Sequence, residues 1–231
     1  MTTKEMIIEE LSGLDDSMTD TDIYETKSRV GTPTWEMARF YPTQGEWSEE
    51  DYLALKSRQL IEFTDGVLEF LPLPDRIHQD LVKWLFKRPD RFVELAKTGA
   101  AYFALLRVKT DGKKYREPDV VYLTNERDRQ YPDRSLPPFG ADFVMEVVSE
   151  GEEARDRDIR QKPIDFATAG IAEYWIVDPE NRTITVLSLD GAEYFPRGVF
   201  GEGEVAESAL LPGFSVDVAE CFSLAAPDTS K

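Results

Sequence analysis

The sequence predicts one α/β domain in which a mixed β-sheet is flanked by α-helices. Segments with helical spacing of apolar residues alternate with strand-like apolar runs, in the order helix, strands, helix, strands, helix, strands. This order lacks the regular βαβ repetition of a fully parallel sheet. At 231 residues, 41% of them hydrophobic and 31% charged, the chain is long enough to bury one full core.

The predicted organisation is a single domain over residues 46–225 with a distinct segment at each end. Residues 1–45 are interpreted as an acidic extension, because residues 1–26 hold eight acidic residues against one basic residue and few large apolar ones. Residues 226–231 form a C-terminal tail.

Capping and turn motifs define the first elements of the domain. Ser48 followed by Asp51 resembles a capping box and predicts a helix at about 48–58. The pair Asp65-Gly66 stands between two apolar runs and predicts a tight β-hairpin.

The next segment has helical spacing over residues 76–97. We expect Pro89 to divide it into two helices, because proline lacks a backbone donor and clashes with the preceding turn.

The second half of the chain is richer in strands. The runs A-Y-F-A-L-L-R-V and P-D-V-V-Y-L are predicted to form a hairpin around T-D-G-K-K. A polar loop over residues 124–141 then leads to the strand F-V-M-E-V-V, and Gly170 ends a helix at about 155–169. E-Y-W-I-V-D and T-I-T-V-L-S form a further hairpin.

The overall charge narrows the classes of function. Lys and Arg number 27 and Asp and Glu 45, for a net charge of −18, which argues against an indiscriminate polyanion binder. One cysteine, Cys221, excludes an intrachain disulfide and a cysteine zinc cluster, and one histidine, His78, excludes a His-rich metal site. The acidic N-terminus and the absence of a long apolar run predict a cytoplasmic protein without membrane association.

Glu146 is the most informative single residue. It lies inside F-V-M-E-V-V, whose neighbours on both faces are apolar, as in a strand buried on both sides. A carboxylate there is costly unless it is paired, protonated or bound to a metal. The alternative is an ordinary salt bridge near the end of the strand.

Asp119 and Lys162 add to this signal. Asp119 opens the strand P-D-V-V-Y-L and could meet Glu146 across adjacent strands, where a divalent cation would relieve the repulsion between the two carboxylates. Otherwise Asp119 is a turn residue. Lys162 is spaced i, i+4 from Asp158, which fits a surface ion pair or a lysine directed into the carboxylate site, where it would orient a water nucleophile.

The order of these three residues resembles the PD-(D/E)XK nuclease superfamily and, more specifically, the Uma-type family of restriction endonucleases. The stretches that carry the resemblance span about residues 48–222: E-F-T-D-G-V-L-E-F-L-P, H-Q-D-L-V, R-E-P-D-V-V, E-V-V-S, D-I-R-Q-K, A-G-I-A-E-Y-W-I-V-D-P-E and L-P-G-F-S-V-D. Two positions depart from the pattern. Val148 stands where the superfamily has its lysine, a role for which Lys162 fits, and Glu150 stands where the family commonly has proline.

The resemblance implies a restriction-endonuclease-like core that hydrolyses phosphodiester bonds with Mg²⁺ or Mn²⁺. Asp119 and Glu146 would hold the metal, and Lys162 would assist the attacking water. A further acid is expected from the first hairpin, Glu62 or Glu69, and we favour Glu62.

His78 opens a predicted helix at a position where the family commonly has histidine. It would contact a phosphate or help to activate water, or simply be satisfied by hydrogen bonds at the start of the helix.

Basic residues concentrate in one segment of the acidic chain. Residues 76–116 carry eleven Lys and Arg against four Asp and Glu, a net charge of +7. This segment is a candidate phosphate-facing surface, or a solvated helix face and a charged turn. The residues that we assign to nucleic-acid binding are Lys113, Lys114, Arg116, Lys87 and Arg88.

The leading interpretation is a metal-dependent DNA endonuclease that binds DNA weakly and in a salt-sensitive manner. A homodimer is an expectation for nucleases that cut both strands, although no motif in the sequence shows one. The alternatives are a catalytically weak nuclease-fold module that binds nucleic acid or protein and, more remotely, a hydrolase with paired carboxylates that acts on a glycoside.

Overall fold

The computed structural model describes residues 41–55, 57, 59–103 and 106–223. The chain divides into two compact units, Met1–Lys56 and Ser57–Lys231. Most of the predicted acidic extension, residues 1–40, and the predicted tail over 226–231 lie outside the described residues.

The described part of the first unit contains helix α1, Glu49–Ala54. The predicted capping box is present: the Ser48 hydroxyl accepts a hydrogen bond from the Asp51 amide at 3.0 Å, and the Asp51 carboxylate accepts one from the Ser48 amide at 3.1 Å. The helix is shorter than predicted, because the backbone is already extended at Leu55.

The second unit holds the other helices and the strands of the described structure. In chain order these are β1 Ile61–Thr64, β2 Val67–Phe70, α2 Arg76–Ala96, β3 Gly99–Phe103, β4 Val108–Asp111, β5 Lys114–Arg116, β6 Val120–Thr124, α3 Asn125–Gln130, β7 Phe143–Val147, α4 Glu152–Asp156, a π-helical turn Arg157–Gln161, α5 Lys162–Thr168, β8 Glu173–Asp178, β9 Thr183–Asp190, β10 Glu193–Phe200, β11 Val205–Glu207, β12 Ser215–Asp217 and α6 Val218–Ser223.

The main sheet is mixed and has six strands in the order β10-β9-β8-β7-β6-β3. Strands β7 and β8 run parallel, with Glu146 opposite Ile176, and the other neighbouring pairs are antiparallel. All residues of β7 and β8 are buried. This explains why their sequences are continuous apolar runs rather than alternating ones, and it confirms the predicted fold class.

A second, four-stranded antiparallel sheet has the order β2-β1-β5-β4. The hairpin predicted at Asp65-Gly66 joins β1 to β2, and both turn residues have positive φ, 47° and 85°, as a type I′ turn requires. The pairing predicted between A-Y-F-A-L-L-R-V and P-D-V-V-Y-L is present, since β3 pairs antiparallel with β6 in the main sheet. The direct hairpin connection is wrong, because the chain between them forms β4 and β5, which pair with each other in the second sheet.

Helix α2 is one helix, so the predicted break at Pro89 is also wrong. Pro89 lies inside the helix and is buried with Leu81, Leu85 and Val93. A proline in a helix interior costs about 3 kcal/mol, whereas full burial of each large apolar side chain contributes about 1.5–3 kcal/mol. Packing of the whole apolar stripe therefore outweighs the local penalty.

Each face of the main sheet is covered by its own apolar cluster. On one face Leu81 and Leu85 of α2 belong to a cluster with Met145 and Trp175, and on the other Phe166 of α5 belongs to a cluster with Val144. Because side chains alternate along a strand, Glu146 shares the α5 face with Val144. This alternation brings a carboxylate under the helix that carries Lys162.

The segment from α4 to α5 is one helical run with a π-helical turn in its middle. Arg157, Asp158, Lys162 and Asp165 are all buried along this run. Single π turns inside α-helices occur frequently at functional sites. Among the described residues, no helix is long and apolar enough to span a membrane.

At the end of β8, Asp178 provides a testable contribution to stability. It accepts two hydrogen bonds from Arg155, at 3.1 and 2.7 Å, and others from the amides of Glu180 and Asn181. Burial alone raises the pKa of Asp178, but the hydrogen bonds from Arg155 and Asn181 outweigh burial and lower it to about 2. A carboxylate with a depressed pKa stabilises the fold above its unfolded-state pKa, and this contribution is lost as the pH falls toward 2.

We therefore expect Asp178→Asn to lower the free energy of unfolding at pH 7 by about 1–3 kcal/mol. The difference from the wild type should shrink as the pH falls from about 4 to about 2. Urea unfolding at pH 7 and at about pH 2 measures this difference in unfolding free energy. The exposed Asp190→Asn is the matched control. An equal difference at the two pH values would refute the assignment.

Candidate active site

The candidate site lies where β6 begins and β7 ends. Four of its residues come from different parts of the second unit: Asp119 just before β6, Glu146 on β7, Lys162 at the start of α5 and Glu62 on β1. His78 lies in the first turn of α2, the helix that packs on the face of the main sheet opposite to α5. The structure thus brings together all five residues that the sequence predicts as catalytic.

Lys162 and Glu146 form the centre of the cluster. The Lys162 Nζ donates a hydrogen bond to Glu146 Oε1 at 2.7 Å, and both side chains are 4% exposed. Two more carboxylate oxygens face the same ammonium group, Asp158 Oδ1 at 3.1 Å and Glu62 Oε1 at 3.8 Å. Glu146 accepts one of the three N–H groups of this ammonium, and Asp158 is the next acceptor within reach.

Burial and charge act in opposite directions on this pair. Burial lowers the pKa of Lys162, but the charges of Glu146, Asp158 and Glu62 outweigh burial and hold that pKa above its ordinary value. Burial raises the pKa of Glu146 well above its ordinary value, the charge of Lys162 opposes this, and the charges of Asp119 and Asp158 add to it. The site therefore combines a firmly protonated lysine with a carboxylate that would be stabilised by additional positive charge.

Asp119 and His78 lie at the open side of the cluster. Asp119 Oδ2 accepts a hydrogen bond from the Val147 amide at 2.8 Å, which ties the start of β6 to the end of β7. His78 Nε2 is 3.2 Å from the Val147 carbonyl oxygen and 3.4 Å from Asp119 Oδ2. Burial lowers the pKa of His78, but its contacts with Asp119 and the Val147 carbonyl outweigh burial and raise it.

The two acids of the first hairpin have different environments. Glu62 is fully buried, 3.3 Å from the Arg116 guanidinium, and its Oε1 accepts a hydrogen bond from the Glu117 amide at 3.4 Å. The Glu69 side chain is 51% exposed and pairs with Arg157 at 3.1 Å. Of the two candidates, Glu62 is the one that the structure places beside Lys162.

Sequence reasoning missed two residues of the cluster. Asp158 is 1% exposed, its Oδ2 accepts a hydrogen bond from the Ser149 amide at 3.1 Å, and opposing effects of burial and of Lys162 leave its pKa below the ordinary value. Asp165 accepts hydrogen bonds from Arg116 at 2.6 and 2.9 Å and from Lys114 at 2.9 Å. The spacing of residues 158, 162 and 165 on one face of a helix was the signal that could have found both.

The structure separates the five predicted nucleic-acid contacts. Lys113 and Lys87 are exposed, on the β4–β5 turn and on α2, respectively. Lys114 is half-buried and paired with Asp165, and Arg88 stacks 2.9 Å from the centre of the Trp84 ring and pairs with Glu220 at 3.2 Å. Arg116 is buried and forms ion pairs with Glu62 and Asp165. We therefore leave it out of the DNA-facing surface.

The oxygen donors of the site fit a hard divalent cation. Asp119 and Glu146 present carboxylates from neighbouring strands, and the negative charge of Asp119 already raises the pKa of Glu146. Within the described residues, no three or more His, Cys, Asp or Glu side chains form a ready metal-binding group. Mg²⁺ nevertheless commonly uses one or two carboxylates and completes its shell with water and phosphate.

The fold and this cluster define an α/β protein with a nuclease-like fold. A solved structure described as a putative nuclease belonging to DUF820, from Anabaena variabilis, superposes with a TM-score of 0.62 at 16% identity, covering 79% of this chain and 99% of that one. The chain belongs to the Uma2 family, described as "Putative restriction endonuclease", whose sequence pattern matches residues 49–219. No curated protein matches the chain at a significant level.

Proposed function

We propose that this protein is a metal-dependent endonuclease that hydrolyses phosphodiester bonds in DNA. Its membership of a family described as restriction endonucleases supports nuclease activity. The observation that carries the proposal is the contact of 2.7 Å between Lys162 Nζ and Glu146 Oε1. Asp119 is tied to the same end of β7, because its carboxylate accepts a hydrogen bond from the amide of Val147, the residue after Glu146. A buried lysine among carboxylates from two strands and a helix serves no packing purpose that an apolar side chain would not serve better.

Asp119 and Glu146 are the residues that would hold Mg²⁺ or Mn²⁺. When bound, such a cation would supply Lewis-acid stabilisation of charge on the phosphate and lower the pKa of a coordinated water. Asp119 is fixed by the Val147 amide and Glu146 by Lys162, and these restraints support the assignment of both carboxylates as ligands.

Lys162 acts as a hydrogen-bond donor in this proposal. The ordinary pKa of lysine keeps it protonated at neutral pH, and the surrounding carboxylates favour the same state. Its remaining N–H groups orient the attacking water and stabilise negative charge that develops on the phosphate oxygens.

His78 and Glu62 have distinct supporting roles. His78 Nε2 faces the Asp119 carboxylate and the Val147 carbonyl oxygen, where the ring can orient that carboxylate. Glu62 is fully buried between Lys162 and Arg116. It balances their charge and limits the directions in which Lys162 can turn.

Lys113, the exposed lysine of the β4–β5 turn, is one of the surface residues that we assign to the DNA backbone. Lys113→Glu is expected to weaken DNA binding and to reduce the slope of log affinity against log salt concentration by about 1. Fluorescence anisotropy with a labelled duplex at several salt concentrations measures both, with the exposed Arg197→Glu on β10 as control. Unchanged affinity and slope would remove Lys113 from the interface.

Plasmid cleavage tests the proposed activity. Supercoiled DNA is incubated with the wild type in Mg²⁺, Mn²⁺ or EDTA, beside Asp119→Asn, Glu146→Gln, Lys162→Met and the exposed control Asp190→Asn. We expect cleavage that requires the metal, is retained by the control and is lost in the three cluster variants. DNA binding without cleavage, unaltered by the three substitutions, would instead identify a binding module, and neither binding nor cleavage would reject the proposal.

A further inference from the structure

Asp158 is a buried carboxylate to which the proposed chemistry assigns no role. It lies in the π-helical turn, four residues before Lys162, and its side chain is 2% exposed. An i, i+4 ion pair on a helix surface contributes little. This pair is enclosed, so its geometry constrains Lys162 to a degree that a surface pair would not.

The contacts of Asp158 join three parts of the site. Its Oδ2 accepts a hydrogen bond from the Ser149 amide at 3.1 Å, directly beyond the end of β7. Its Oδ1 faces Lys162 Nζ at 3.1 Å, and its backbone carbonyl accepts a hydrogen bond from the buried Tyr174 hydroxyl at 2.9 Å. The hydrogen bonds from Ser149 and Tyr174 therefore fix Asp158 relative to β7 and β8, independently of its contact with Lys162.

The contact between Asp158 and Lys162 is longer than the contact between Glu146 and Lys162. Glu146 Oε1 accepts a hydrogen bond from Lys162 Nζ at 2.7 Å, whereas Asp158 Oδ1 lies 3.1 Å from the same atom. Asp158 therefore gives the ammonium group a second charged contact, from its own helix. Because a lysine side chain has four rotatable carbon bonds, a fixed charge on its own helix reduces the orientations that it samples.

We propose that Asp158 is a positioning residue that holds Lys162 Nζ in its reactive orientation beside Glu146. The inference rests on the proposed phosphodiester cleavage. Glu146 divides its oxygens between Lys162 and a cation in that chemistry. Asp158, which we do not assign to the cation, keeps the lysine in place when Glu146 is so engaged.

The test is Asp158→Asn, which keeps the size of the side chain and an oxygen acceptor for the Ser149 amide but removes the charge that faces Lys162. We expect the cleavage rate at saturating DNA to fall about 10- to 100-fold, with the DNA concentration at half-maximal rate changed less than twofold. The matched control is Asp156→Asn on the same helical run, whose side chain is 39% exposed and pairs with Arg160, and it should cleave like the wild type.

A double variant separates positioning from a general structural role. If Asp158 acts through Lys162, Asp158→Asn should cause no further loss of rate in a Lys162→Ala background, measured with a long incubation. A further loss in that background, or a wild-type rate for the single variant, overturns the inference. Absence of metal-dependent cleavage by the wild type itself would instead be the failure of the proposed function.

A milder variant covers the case in which Asp158→Asn does not fold. Tyr174→Phe removes the hydroxyl that donates to the Asp158 carbonyl and leaves every charge in place. It should lower the maximal rate several-fold without weakening DNA binding, and the loss should vanish in the Lys162→Ala background. A wild-type rate, or a loss that persists in that background, overturns the inference.

Discussion

Lys162→Met is expected to lower the free energy of unfolding by about 3–5 kcal/mol, because removal of one partner leaves buried carboxylates without their counter-charge. Glu146, Asp158 and Glu62 all face the Lys162 ammonium group, and each of these carboxylates is at most 4% exposed. Methionine keeps much of the apolar volume, so the loss reports the missing charge and hydrogen bond rather than a cavity. The same substitution should reduce the cleavage rate about 10²–10³-fold, the usual effect of removing one donor to developing charge.

Urea unfolding and plasmid cleavage measure these two effects on the same preparation. Lys83→Met is the matched control, since Lys83 is an exposed lysine on α2, and we expect it to unfold and cleave like the wild type. An unfolding free energy within about 1 kcal/mol of the wild type for Lys162→Met would contradict the account of the buried cluster.

Glu146→Gln is expected to separate function from stability. Its amide oxygen can still accept the hydrogen bond of Lys162 Nζ, and Asp158 and Glu62 remain to neutralise the lysine. The fold should therefore persist, whereas the site loses one of its two proposed cation ligands. Transition-state stabilisation by a bound cation is worth several kcal/mol, so cleavage should fall about 10³-fold or more.

Titration calorimetry with Mn²⁺ measures the binding half of this prediction. The wild type should bind the cation, Glu146→Gln should bind it at least about 10-fold more weakly, and Glu193→Gln, an exposed position on β10, should match the wild type. Equal affinity of the wild type and Glu146→Gln would remove Glu146 from the proposed ligand set.

Site residues could be predicted from the sequence where an ionisable residue stands in an apolar segment. Glu146 stands out because an acid interrupts an apolar strand, and Asp119 because it opens the next one. The sequence does not determine which of Glu62 and Glu69 is buried at the site. The side chains of both residues lie on a short hairpin, and their burial depends on the β1–β5 pairing of residues far apart in the chain.

Contacts between residues far apart in the chain, which outweigh local sequence signals, also explain the errors in the predicted fold. Pro89 is a local signal for a break, but the burial of the α2 stripe against the sheet outweighs it. The turn at T-D-G-K-K and the β3–β6 pairing are as predicted, yet β4 and β5 stand between those two strands in the chain and belong to the second sheet. Asp158 was interpreted as the partner in a surface pair because i, i+4 spacing does not reveal which face of a helix is enclosed.

The central claim is that the carboxylate–lysine cluster cleaves phosphodiester bonds in the presence of a divalent cation. The most direct measurement is the conversion of supercoiled plasmid to nicked and linear forms in Mg²⁺ by the wild type and Glu146→Gln side by side, with EDTA as the blank. We predict conversion by the wild type alone, and none in EDTA. Equal conversion by the two proteins, or conversion that persists in EDTA, would contradict the account.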